Sequence, residues 1–123
     1  MKKIILLTFI TFFLSCEDKE DNYIEPLNSL IACGYNDPLN EIDWLNNLAN
    51  KALTDNSGNY LGSIWIVNYD GTDYFITDMS LESGGIYHHY FDCGGNPISS
   101  NVPTPSELED LIENSKMIFS TIN

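Results

Sequence analysis

The chain of 123 residues predicts an α+β fold: an antiparallel sheet of about four to five strands, laid out as a meander, packed against two helices. Three observations lead there. Apolar residues recur at helical spacing over 38–53 and again over 105–112, each stretch behind a helix-start signal. Two runs rich in Ile, Trp, Val, Tyr and Phe flank Asp70-Gly71, the dipeptide that suits a tight hairpin turn. The resulting order is helix, hairpin, strand pair, helix, strand, which is the order of an α+β domain.

Residues 1–15 stand outside this fold. Lys2 and Lys3 form a basic start, and the apolar run Ile4–Leu14 would be about 17 Å long as a helix, at roughly 1.5 Å per residue. A hydrocarbon core of about 30 Å is out of its reach. A basic start, a short apolar segment and the small Ser15 form the pattern of a secretory signal peptide. Its end, Phe13-Leu14-Ser15-Cys16, resembles the lipobox of bacterial lipoproteins, in which the signal is cut before a cysteine that carries diacylglycerol and an acylated amino terminus. Phe13 stands where Leu is commoner, and an ordinary signal peptide with a chance cysteine is the alternative. The resemblance implies lipid attachment at Cys16, where two or three acyl chains hold durably and one alone would be marginal. It implies an outer membrane lipoprotein, on the cell surface or the periplasmic face. Glu17, Asp18, Glu20 and Asp21 also resemble the acidic stretch of surface-displayed Bacteroidetes lipoproteins. Residues 16–28, with few large apolar groups, are expected to be a flexible acidic tether spanning about 20 Å.

Removal of residues 1–15 leaves 108 residues, enough for one domain, expected over 29–123. It also removes two of the five lysines and moves the formal charge from −13 to −15, with no arginine anywhere. Nucleic acid is excluded as a partner, because phosphate neutralisation requires clustered Lys and Arg. An acidic surface suits solubility, cations or a basic partner. With Cys16 given to lipid, Cys33 and Cys93 remain as an even pair in an oxidising compartment, and a disulfide is expected. The competing reading makes Cys93 a nucleophile activated by His88 or His89, but such a thiol would have to survive oxidation.

The first helix starts at Asp37, a candidate N-cap, with Pro38 at the first helical position. Ile42, Leu45, Leu48, Ala49, Ala52 and Leu53 form its stripe, bordered by Trp44. In the hairpin, Ile64, Ile66 and Asn68 fall on one face and Trp65, Val67 and Tyr69 on the other. Both faces are apolar near the middle, so both invite cover. Residues 86–93 supply a third strand, and Gly94-Gly95-Asn96-Pro97 turns into a short fourth around Ile98. Thr104 and Glu107 make a capping box, with Pro105 at the first position and Leu108, Leu111 and Ile112 as the buried stripe of the second helix. The β-prone run from Lys116 to Ile122 adds a last edge strand.

Four stretches together, Cys33 through the Pro38–Leu45 helix, the hairpin, Tyr87 to Asn96 with its Asp92-Cys93 ending, and the terminal run Met117 to Ile122, resemble a family of small Bacteroidetes lipoproteins. The resemblance covers most of the mature chain. It supports the fold and the Cys33–Cys93 bridge and carries no known activity.

Few constellations suggest chemistry. His88 and His89 are the only histidines, and adjacent strand residues point to opposite faces, so they cannot share one ion without a bulge. Asp55, Ser57 and Asn59 follow the rhythm of a calcium loop, but Tyr60 stands where Gly is needed and Ile66 where a bidentate Glu is needed. No Gly-x-Ser-x-Gly, His-Glu-x-x-His or Gly-rich phosphate loop is present. A non-enzyme without cofactor or metal is therefore expected. Trp65, Tyr69, Tyr74, Tyr87 and Tyr90 are aromatics of the kind enriched at interfaces, with sheet packing as the plain alternative. The expected function is a lipid-anchored, monomeric envelope protein that binds a protein partner. One alternative is a small inhibitor or regulator of an envelope protease or hydrolase, acting through a loop such as Met79–Gly85. Another is a weak divalent-cation binder.

Overall fold

The computed structural model describes residues 23–82, 88–100 and 102–122. Four strands, β1 (Ser63–Tyr69), β2 (Thr72–Thr77), β3 (His89–Phe91) and β4 (Lys116–Ser120), form one antiparallel sheet in the order β3-β2-β1-β4. β1 and β2 are the expected hairpin, in register from Ile64 opposite Thr77 to Tyr69 opposite Thr72. At its turn Asp70 has φ 54° and Gly71 φ 80°, the two positive angles that match the twist of the flanking strands.

The meander holds for β1, β2 and β3 only. β4 pairs with β1 on the opposite edge, because the chain crosses the sheet through a helix before returning. The strand expected around Ile98 is reduced to a bridge between Phe91 and Pro97 and one bond from the Ile98 N–H to the Tyr90 carbonyl at 2.9 Å. Pro97 has no N–H with which to extend a ladder.

There are three helical segments among the described residues, not two: α1 (Pro38–Glu41), α2 (Asp43–Thr54) and α3 (Pro105–Asn114). The helix expected over 38–53 breaks at Ile42, whose backbone is extended at φ −92° and ψ 112°. Ile42 thereby drops into the core beside Leu39, both buried. Asp37 is the N-cap of α1 by backbone but makes no side-chain cap; its Oδ2 accepts from the Asn40 amide at 2.9 Å instead. Leu53, expected in the stripe, is 57% exposed.

The packed body begins earlier than the expected boundary at 28. Ile24 is buried, and the Asn40 side chain clamps its backbone, accepting from the Ile24 N–H at 2.8 Å and donating to the Ile24 carbonyl at 2.7 Å. The Leu27 N–H donates to the Ile118 carbonyl on β4 at 2.9 Å, so the segment shields that edge of the sheet.

Strand alternation divides the apolar residues between two cores. Against α1 and α2 lie Ile64, Ile66, Phe75, Ile118 and Phe119; against α3 lie Trp65, Val67 and Ile76. The register of β4 against β1 shifts between Ile64 and Trp65, and this bulge lets the consecutive Ile118 and Phe119 both enter the α1/α2 core. A fully buried Leu, Ile or Phe contributes about 1.5–3 kcal/mol.

Cys33 and Cys93 are disulfide-bonded, with Cα atoms 5.8 Å apart and a separation of 60 residues. The bridge ties the loop before α1 to the exit of β3. Around it the Cys33 N–H donates to Asp73 Oδ2 at 3.0 Å, and Trp44 Nε1–H donates to the Cys93 carbonyl at 2.9 Å. Trp44 meets Phe75 edge-on and Phe91 tilted, each at 5.4 Å. Gly95, at φ 82°, lies so close to the indole that a Cβ would sit 2.7 Å from it, so only glycine fits.

Candidate functional site

The register of the strands brings the candidate interaction residues to one face. Trp65 pairs with Ile76, Val67 with Tyr74 and Tyr69 with Thr72, while Ile76 also pairs with Tyr90. Paired residues share a face, so Trp65, Tyr69, Tyr74 and Tyr90 all lie on the α3 side. Tyr87 lies outside the described residues. Trp65 is roofed over and only 9% exposed, which makes it a packing residue and corrects its place as a surface contact. Tyr69, Tyr74 and Tyr90 are half-buried.

The cover on this face is thin. α3 holds the capping box its sequence promised: the Glu107 N–H donates to Thr104 Oγ1 at 3.4 Å, and Glu107 Oε2 accepts from the Thr104 N–H at 3.0 Å. Yet no residue of α3 is fully buried. Leu108, Leu111 and Ile112, expected as a buried stripe, are only half-buried and touch the small core at one side.

Two hollows flank the helix. The smaller, lined by Tyr74, Tyr90, Ile98, Val102 and Pro103, has about 10 Å³, room for a single water at most. The larger is an open groove of about 390 Å³ lined by Pro105, Leu108, Glu109, Ile112, Glu113 and, across from them, His88. Its volume lies at the lower end of the roughly 300–1,000 Å³ typical of ligand clefts. The five helix residues fall at i, i+3, i+4, i+7 and i+8, a single face of α3.

Electrostatics on this side are acidic. The Tyr69 hydroxyl donates to Glu107 Oε2 at 3.5 Å, and the Glu107 charge, with a smaller contribution from burial, raises the phenol above its ordinary pKa. Burial raises Tyr90. His88 lies 6.4 Å from the Trp65 ring, whereas His89 stacks on Phe91 toward the other face, so the two imidazoles diverge as strand geometry requires. Cys93 is held in the disulfide and is no nucleophile. Among the described residues no group of three or more His, Cys, Asp or Glu could hold a metal ion.

Other sequence candidates fall elsewhere. Asp55 turns inward on its own loop, accepting from the Ser57 hydroxyl at 2.8 Å and the Gly58 N–H at 3.1 Å. The described part of the candidate inhibitory loop does not protrude: Met79 is buried and the Leu81 N–H donates to the Asn59 carbonyl at 2.8 Å. The groove residues Glu109 and Glu113 escaped notice in the sequence, although their spacing with Leu108 and Ile112 was the available signal. No family model, curated protein or solved structure matches this chain.

Proposed function

We propose that this chain is a lipid-anchored protein of the bacterial outer membrane whose folded domain serves as a non-enzymatic interaction module. The observation that carries the reading is the leader, a basic start and short apolar run ending in Leu14-Ser15-Cys16 and followed at once by acids. Three features support it. The Cys33–Cys93 disulfide suits an oxidising compartment. The aromatic residues gather on the more thinly covered sheet face. Among the described residues, no helix is long and apolar enough to cross a membrane.

The test is Cys16→Ala expressed in a Gram-negative envelope. Acylation, read by mass spectrometry of the amino-terminal peptide, disappears, and the protein leaves the membrane fraction. An unprocessed leader in the native protein, or unchanged fractionation of the variant, defeats the reading. Added protease on intact cells then separates surface display from the periplasmic face.

A further inference from the structure

We propose that the groove along α3 is the docking site for a basic, amphipathic segment of a partner polypeptide. Aliphatic side chains of that segment seat against Pro105, Leu108 and Ile112, and its lysines or arginines meet Glu109 and Glu113. The proposal rests on the interaction-module reading above and gives it a place and a chemistry.

The floor of the groove supplies the first requirement. Leu108 and Ile112 each cover the small core with one side and leave the other to water. An inserted aliphatic group completes their burial without moving the backbone. The second requirement is charge. α3 carries Glu107, Glu109, Asp110 and Glu113 and no basic residue, and Glu109 and Glu113 stand one turn apart on the groove's own edge. Like charges at that spacing repel, and a cation between them relieves the repulsion.

The same charges exclude other occupants. A second copy of a chain carrying −13 would set glutamates against an acidic surface, and an anionic lipid surface would be repelled. A second open hollow, about 540 Å³ near Leu53, Leu61, Asn56 and Ser120, mixes apolar and polar walls and has no pair of acids on one edge. Recognition along one helical face of eight to nine residues fits a short peptide segment, read through a few apolar anchors with charges at the rim.

The experiment titrates the full-length protein, held in a non-ionic detergent, with a synthetic peptide of Leu and Lys at helical spacing; empty micelles are the blank. Calorimetry gives the affinity, and amide NMR shifts map the site. Shifts centred on residues 105–113 and His88 are expected. Glu109→Lys/Glu113→Lys is expected to weaken binding about tenfold or more, the scale of charge pairs at an interface. Glu25→Lys/Asp43→Lys changes the net charge equally on exposed sites elsewhere and should leave affinity nearly unchanged. Thermal melting of both variants confirms that each is folded.

Equal weakening by both double variants would show generic charge attraction and overturn the proposal. So would equal binding of a Lys homopeptide lacking Leu, or of a peptide with Glu in place of Lys. A concentration-dependent dimer that buries residues 105–113 would overturn it in favour of a second copy. The two readings fail separately. Loss of peptide binding with Cys16-dependent fractionation intact removes the groove alone, and the converse removes the lipid anchor alone.

Discussion

Among the described residues, α1, α2 and the segment around Ile24 bury fourteen apolar residues in a single cluster on one face of the sheet; on the other, α3 encloses Trp65, Val67 and Ile76, and the apolar residues packed around those three are half-buried. The difference does not come from helix quality, for α3 is the better capped helix. It comes from closure. The α1/α2 side is fastened by the disulfide, by Trp44 bonded to the Cys93 carbonyl and by the Asn40 clamp on Ile24. The α3 side is held by one amphipathic helix and the Tyr69–Glu107 contact. One layer closes fully over its apolar residues, and the other leaves part of its apolar surface exposed.

The comparison can be broken most directly at its largest difference. Cys33→Ser/Cys93→Ser opens a loop spanning 60 residues and should lower the unfolding free energy by about 4 kcal/mol, measured by urea denaturation. A loss below about 1 kcal/mol would mean that the thick layer does not depend on its staple.

Truncation of matched leucines sharpens the contrast. Leu45 is wholly buried, so Leu45→Ala should cost about 3 kcal/mol. Leu111 is half-buried, and Leu111→Ala should cost about 1 kcal/mol, because less surface is lost and water fills the gap. Equal costs would erase the distinction between the faces.

Thr104→Ala removes the cap that the thin layer depends on most. It should cost about 1 kcal/mol, with faster amide exchange confined to α3. Exchange that rises equally in α2 would show that the two layers unfold as one.

The smallest effect is a pH dependence on the thick side. Asp92 Oδ1 accepts from the N–H groups of Asn96 and Gly94, each at 2.9 Å. These bonds, those from Asn96 foremost, hold the carboxyl below its usual range. A folded-state pKa that is depressed contributes stability which is complete above the unfolded value of about 3.9 and is lost as pH falls through the lower folded value. The protection factors of the Gly94 and Asn96 amides, corrected for the intrinsic pH dependence of exchange, should therefore fall on acidification below about pH 4.

Local signals with a stated mechanism were legible in the sequence. Asp70-Gly71 placed the hairpin turn, Thr104 with Glu107 placed the start of α3, and alternation along β1 sorted Ile64 and Ile66 from Trp65 and Val67 as the two cores require. What could not be read was how far each stripe would be covered. The break at Ile42 is invisible to periodicity, because Leu39, Ile42, Leu45, Ala49 and Ala52 keep their three- and four-residue spacing whether or not the backbone is helical at one position. Ile24 docks through a side chain sixteen residues away in sequence, which no local pattern reports. The place of β4 beside β1, and not after β3, depends on the crossover of α3. For the candidate site, strand alternation places Trp65, Tyr69, Tyr74 and Tyr90 on one face, but the open groove on that side is edged by aliphatic and acidic residues of α3. Exposure is a property of packing between elements, and it decided which of them remain available.

Trp44 lies in the thick layer, against the disulfide, and Trp65 lies beneath α3; there are two tryptophans in the whole chain. Each side of the sheet thus contains its own emitter. Trp44→Phe and Trp65→Phe yield two proteins whose fluorescence follows one layer apiece, so an occupant arriving at α3 would change the emission of Trp65 while that of Trp44, near a quenching disulfide, stays constant until the chain is reduced.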